Sequence, residues 1–236
     1  MLSRIALAFV SGLVLTASAT TAQAQVTSYT DAANDIATGI ATGGGTLDIL
    51  GMEVSNTATD IVFRLTVNGN VGPGGTDWGK FMIGISTGGA PASNGNGWGR
   101  PINMNASSGG MNYWIGSWVD GGGGAQLWNY ADSNWSGPGA LGGFAFSGSS
   151  ITYTTSLSSL GLSLGSTFFF DAYSSGGGGG DGAIDALANP NVSVTAWGDS
   201  YTSGGSNPIY SYTVVPAPGA VTLLGLAGLI ARRRRR

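Results

Sequence analysis

Asp60-Ile61-Val62-Phe63-Arg64-Leu65-Thr66-Val67-Asn68 decides the fold class. Ile61, Phe63, Leu65 and Val67 fall on one side of an extended chain, and Val62, Arg64 and Thr66 on the other. Successive side chains of a strand point to opposite faces, so this stretch is a half-buried strand. Leu47 to Ser55 reads as its partner, and the two turn at Asn56 to Thr59 as a hairpin. Lys80 to Thr87 repeats the pattern, with Phe81, Ile83 and Ile85 sharing a face.

Outward from these, the spacing predicts a short strand over Thr27 to Asp31 and one helical turn within Asp31 to Ala41. An aromatic strand, Met111 to Val119, is joined through Gly121 to Gly124 to the next, Ala125 to Tyr130. Gly143 to Ser147 and Ser150 to Leu157 form a further hairpin, followed by a 3₁₀ turn within Leu157 to Leu164. Ser166 to Ser174, with three consecutive phenylalanines, is a central strand; Val192 to Trp197 and Ile209 to Val214 close the set. Many short strands with glycine-rich turns predict an all-β domain, a β-sandwich, over residues 25–213.

Composition narrows the function. There is no cysteine and no histidine in 236 residues. The commonest general base, zinc ligand and haem ligand are therefore missing together. Six of the nine basic residues sit at the chain ends (Arg4 and Arg232 to Arg236), leaving Arg64, Lys80 and Arg100 against twelve acids, about nine negative charges in excess. Such a body cannot make the phosphate contacts that nucleic-acid binding needs. No Ser, Thr or Lys has a visible activating partner, and with one Glu no carboxylate pair stands out for glycoside hydrolysis, so the body reads as non-enzymatic, with a hydrolase as the lesser alternative.

The seven tryptophans point to binding, because flat rings stack on sugar faces. Trp98 and Arg100, Asn112 beside Trp114, Trp128 and Trp135 combine rings with hydrogen-bonding groups and are the candidate carbohydrate contacts. Core packing is the competing use of each ring. Trp114 and Trp118, four apart, share one strand face, with Tyr113 on the other. For a cation, Asp181, Asp185 and Asn189 form one candidate calcium set and Asp31 with Asp35 a second, against the plainer role of loop acids that shape turns.

The two ends give an address. Arg4, the apolar stretch Ile5 to Leu15 and Ala22-Gln23-Ala24 predict a secretory signal peptide over residues 1–24. At the other end, the 13 residues from Gly219 to Ala231 carry no charge and run into five arginines. This predicts a short membrane-inserted segment, residues 214–236, with its basic end on the cytoplasmic side. Val215-Pro216-Ala217-Pro218-Gly219, the apolar run and Arg232, Arg233 and the arginines after them resemble a PEP-CTERM sorting signal. Pro216-Ala217-Pro218 stands where that family usually has Pro-Glu-Pro. The resemblance implies recognition by an exosortase, a membrane-embedded protease, and cleavage near the prolines. The body also resembles DOMON and family 9 carbohydrate-binding-module sandwiches, through Asp31 and Asp35, Leu47-Asp48-Ile49, Asp60 to Leu65, Phe81 to Ile85 and the acidic loop from Asp181 to Asp185. Together these imply an exported protein, tethered to the inner membrane in transit and then held at the cell surface or in the extracellular matrix. Its expected role is to bind carbohydrate or exopolysaccharide, and the alternative is a structural biofilm protein without a small ligand.

Overall fold

The computed structural model describes residues 25–37, 40, 45–72, 79–89, 92–107 and 109–216. The signal peptide over 1–24, Trp78, and the tail residues Pro218, Gly219, Arg232 and Arg233 lie outside them. Among the described residues no helix is long and apolar enough to cross a membrane.

The fold is all-β, built from two antiparallel sheets. The first contains β1 (Val26–Thr30), β2 (Ile49–Asn56), β3 (Asp60–Val67), β10 (Ser150–Ser156) and β9 (Gly143–Ser147), in that spatial order. The second runs β12 (Asp185–Ala186), β11 (Thr167–Ser175), β4 (Lys80–Ser86), β6 (Tyr113–Trp118), β7 (Gly124–Ala131) and β8 (Asn134–Gly139), and β14 (Tyr210–Thr213) also pairs with β11. A short parallel pair, β5 (Ile102–Asn105) and β13 (Tyr201–Gly204), stands apart from both.

The founding strand behaves as its alternation predicts. Ile61, Phe63, Leu65 and Val67 are buried, while Arg64 on the opposite face meets Glu53 of β2 at 3.3 Å. Phe81, Ile83 and Ile85 of β4 lie in register with Ser174, Ala172 and Phe170 of β11. They and Ile115 face the first sheet, and Phe63 meets Phe168 and Phe170 across the gap, at 6.2 and 6.1 Å. A buried chain of hydrogen bonds crosses this core, in which Tyr153 donates to Ser117 Oγ (2.7 Å) and Ser117 to Phe81 O (2.9 Å).

The second sheet is also covered on its outer face, which the alternation did not predict. Met82, Trp114 and Tyr173 project there, and Trp114 stacks on Tyr173 at 6.1 Å. The β5–β13 pair and its flanking loops form a third layer over them, bringing Met104, Met111 and Tyr201 into the same apolar packing. Both faces of β4 and β11 are consequently buried, which explains their long apolar runs.

Candidate functional site

Two features of the fold carry chemistry. The first is aromatic. Register places Trp114, Trp118, Gln126, Trp128, Tyr130 and Trp135 on the outer face of the second sheet, toward its β8 edge. Trp98, from the loop before β5, lies down among them, 6.4 Å from Trp114 and 6.5 Å from Trp118. Its indole N–H donates to Gln126 Oε1 at 2.9 Å, and Trp128 donates to the same oxygen at 3.2 Å. Tyr130 and Trp135 pair at 5.4 Å beyond them. Trp114 is fully buried, whereas Trp98, Trp118, Trp128, Tyr130 and Trp135 are each half-buried.

Glycine makes this layer possible. A Cβ on Gly116 would run into the Trp98 ring, and one on Gly124 into the Trp118 ring. Bare backbone at these two sheet positions lets each indole lie flat where any other residue would lift it off.

The structure buries both polar candidates. Arg100 is 6% exposed; it donates to Ser175 Oγ (2.7 Å) and Asp181 O (3.0 Å), and its guanidinium lies 5.4 Å from the Trp98 ring centre. Asn112 is 4% exposed, accepts from the Thr87 N–H at 3.2 Å and donates to Gly89 O. Both side chains hold loops in place inside the protein. Gln126, which sequence reasoning passed over, is the polar centre of the aromatic face; only its cross-strand register with Gly116 could have revealed it. On the opposite face of β7–β8, Leu127, Asn129, Ser136 and Pro138 line a shallow groove of about 450 Å³.

The second feature is a carboxylate cluster at one edge of the sandwich. Asp31 and Asp35 follow β1, Asp48 precedes β2, and Asp185 belongs to β12. Asn34, with a φ of 64°, turns the chain so that Asp31 and Asp35 fall together. Single carboxylate oxygens of Asp31, Asp35 and Asp185 lie within 4.8 Å of one another. The cluster therefore takes one acid from the Asp181–Asp185–Asn189 set and joins it to the Asp31–Asp35 set. Asp181 stays outside, accepting from the Gly178 N–H at 2.8 Å, and Asn189 accepts from the Asn191 N–H at 3.1 Å.

Backbone donors aim most of these acids. Asp185 accepts from Ile49 (2.6 Å) and Ala186 (2.8 Å), and Asp31 from Ala32 (2.9 Å). Asp48 accepts from the Asn34 N–H and from Asn68 Nδ2, both at 2.8 Å and both on one oxygen. Burial, followed by the charges of Asp185 and Asp35, pushes the Asp31 carboxyl up to about 8. Burial also pushes Asp185 up to about 8, against the Ile49 hydrogen bond and helped by the charge of Asp35. Asp35 is raised by burial too, with the charge of Asp48 adding to it.

No family model matches the chain, and no curated protein or solved structure matches it either.

Proposed function

We propose that this is an exported, non-enzymatic β-sandwich of the bacterial envelope or extracellular matrix, which binds polysaccharide along the aromatic face of its second sheet. The observation that carries this reading is the placement of five half-buried rings, Trp98, Trp118, Trp128, Tyr130 and Trp135, on one side of one sheet. Aromatic surface left partly open to water, with an amide at its centre, suits a sugar chain whose C–H faces stack and whose hydroxyls bond to polar groups. The export half of the reading rests on the N-terminal signal and on the PEP-CTERM-like tail. An exosortase is the proposed partner there, and nucleic acid is not a partner.

A structural biofilm role without a small ligand is the second reading, favoured by one observation. The Trp98 and Trp128 N–H groups are both already engaged by Gln126, so part of the face is satisfied without a ligand.

Pull-down of the secreted chain with exopolysaccharide from the cells that make it, beside a glycan array, separates the two. Retention that falls at least tenfold in Trp135→Ala and Trp128→Ala supports sugar binding. No retention by any glycan leaves the structural role.

A further inference from the structure

The acid cluster contains more charge and more unmet bonding than the chain itself can settle. Seven buried side-chain polar atoms lack a hydrogen-bond partner among the described residues, and four of them are carboxylate oxygens here: Asp31 Oδ2, both oxygens of Asp35, and Asp48 Oδ1. Asp48 is the independent witness. It is 1% exposed, one oxygen is fixed by two donors, and the other meets none while its charge bears on Asp35 and Asp185. Buried polar atoms in folded proteins are nearly always paired, and buried charge is paired or bound to metal.

No basic side chain among the described residues answers these acids. Arg64 pairs with Glu53, Lys80 with Asp120 at 2.7 Å, and Arg100 bonds to Ser175 and Asp181 O. Those three are the basic residues of the described body. Tyr210, within reach of the Asp31 charge, donates its hydroxyl to Thr30 O at 3.2 Å and carries no positive charge.

The geometry points to a calcium site formed by Asp31, Asp35 and Asp185, with Asp48 close enough for its charge to act on Asp35 and Asp185. The donors are all hard oxygens, with no nitrogen or sulfur that would select zinc. Calcium accepts several carboxylates in irregular geometry, whereas magnesium keeps most of its water. The N–H groups of Ile49, Ala186 and Ala32 orient the ligands from behind, as outer-shell donors do in metal sites. The ion joins two sheets, because Asp31 and Asp35 follow β1 while Asp185 comes from β12. Bound there, it fastens the first strand and the segment after it to the second sheet. This site is independent of the sugar-binding reading.

Calorimetric titration of CaCl₂ into the full-length chain, stripped with EGTA, tests the proposal. One ion per chain is expected, with Kd between about 10⁻⁶ and 10⁻³ M. At about a hundredfold excess over Kd the unfolding midpoint rises by about 5–10 °C, and EGTA reverses it. Asp35→Asn is the decisive variant, because neither carboxylate oxygen of Asp35 bonds to the chain. It is expected to melt at or above the calcium-free wild type and to lose at least tenfold in calcium affinity. Glu53→Gln, an exposed acid of β2, retains the full response. Absence of calcium binding, an equal response in Asp35→Asn, or an equal response to MgCl₂ overturns the assignment. A midpoint that rises with acid and ignores calcium also overturns it, and identifies a shared proton as the occupant.

Discussion

Asp171 has no exposed surface and lies on the outer face of β11. Its carboxylate accepts from the Ala172 (2.9 Å) and Ala188 (3.0 Å) N–H groups and from Ser203 Oγ, which in turn accepts from the Tyr173 hydroxyl at 2.9 Å. Burial outweighs these donors and pushes the acid from 3.8 up to about 7. Between those values the folded protein holds a proton that the unfolded chain has released, so this group makes stability fall as pH rises from about 4 to about 7, and level off above. Asp171→Asn is expected to remove that slope. Urea unfolding at pH values across this range should show wild type losing about 2–4 kcal/mol relative to the variant, because each pH unit separating the folded and unfolded titrations is worth about 1.4 kcal/mol. Parallel profiles would contradict the reading. Gly116 tests packing at the same scale. Gly116→Ala forces the Trp98 ring off the sheet and is expected to cost about 1–3 kcal/mol by urea unfolding, with a changed tryptophan emission maximum. The need for glycine there was invisible in the sequence, because Trp98 reaches Gly116 from a loop rather than from a neighbouring strand.

Strands with apolar alternation were legible: β2, β3, β4, β6, β7, β9, β10, β11 and β14 all fall within a few residues of their expected positions. Others were not, for physical reasons. β8, Asn134 to Gly139, contains two glycines and Pro138 and reads as a turn; its place at a sheet edge tolerates them. Val192 to Trp197 alternates well yet joins no ladder. Asp199 Oδ2 takes the Thr195 and Ala196 N–H groups, at 2.7 and 3.0 Å, and the Thr195 hydroxyl at 2.9 Å, so the backbone closes into a turn. The helical turn expected within Asp31 to Ala41 lies partly outside the described residues; over 31–37 Asn34 and Asp48 set a tight bend. β14 is secured by a device of its own. Buried Asn56 accepts from Val215 N (3.1 Å) and Tyr212 Oη (2.7 Å), and donates to Val215 O (2.8 Å) and Thr57 O (2.7 Å). Val215, the first residue of the proline motif, is thereby held in the body. Asn56→Ala should cost about 1–3 kcal/mol and speed proteolysis after Thr213 in a timed protease digest. An unchanged digest would show that the clamp is not what holds the end of the body.

At the scale of the molecule, two sheets and a third covering layer bury almost every long apolar side chain of the described body. The sandwich was readable from period-two alternation; the covering layer was not, because β5 and β13 are four residues each and pair across about a hundred residues of chain. The carboxylate cluster was half-readable for the same reason. Asp31 and Asp35 are close in sequence, but Asp185 arrives from the far end, through a hydrogen bond to Ile49. The aromatic face stood out as a run of tryptophans, and only strand register separated buried Trp114 from its half-open neighbours. The proposed binding surface is that face, with five half-buried rings on one side of the second sheet. Acrylamide quenching of tryptophan fluorescence, with and without exopolysaccharide from the producing cells, tests this most directly. The account predicts that polysaccharide shields the half-buried tryptophans and lowers the quenching constant by about half or more, an effect lost in the Trp128→Ala, Trp135→Ala double variant. Quenching that is identical with and without polysaccharide, up to the highest polysaccharide concentration that stays in solution, would contradict it.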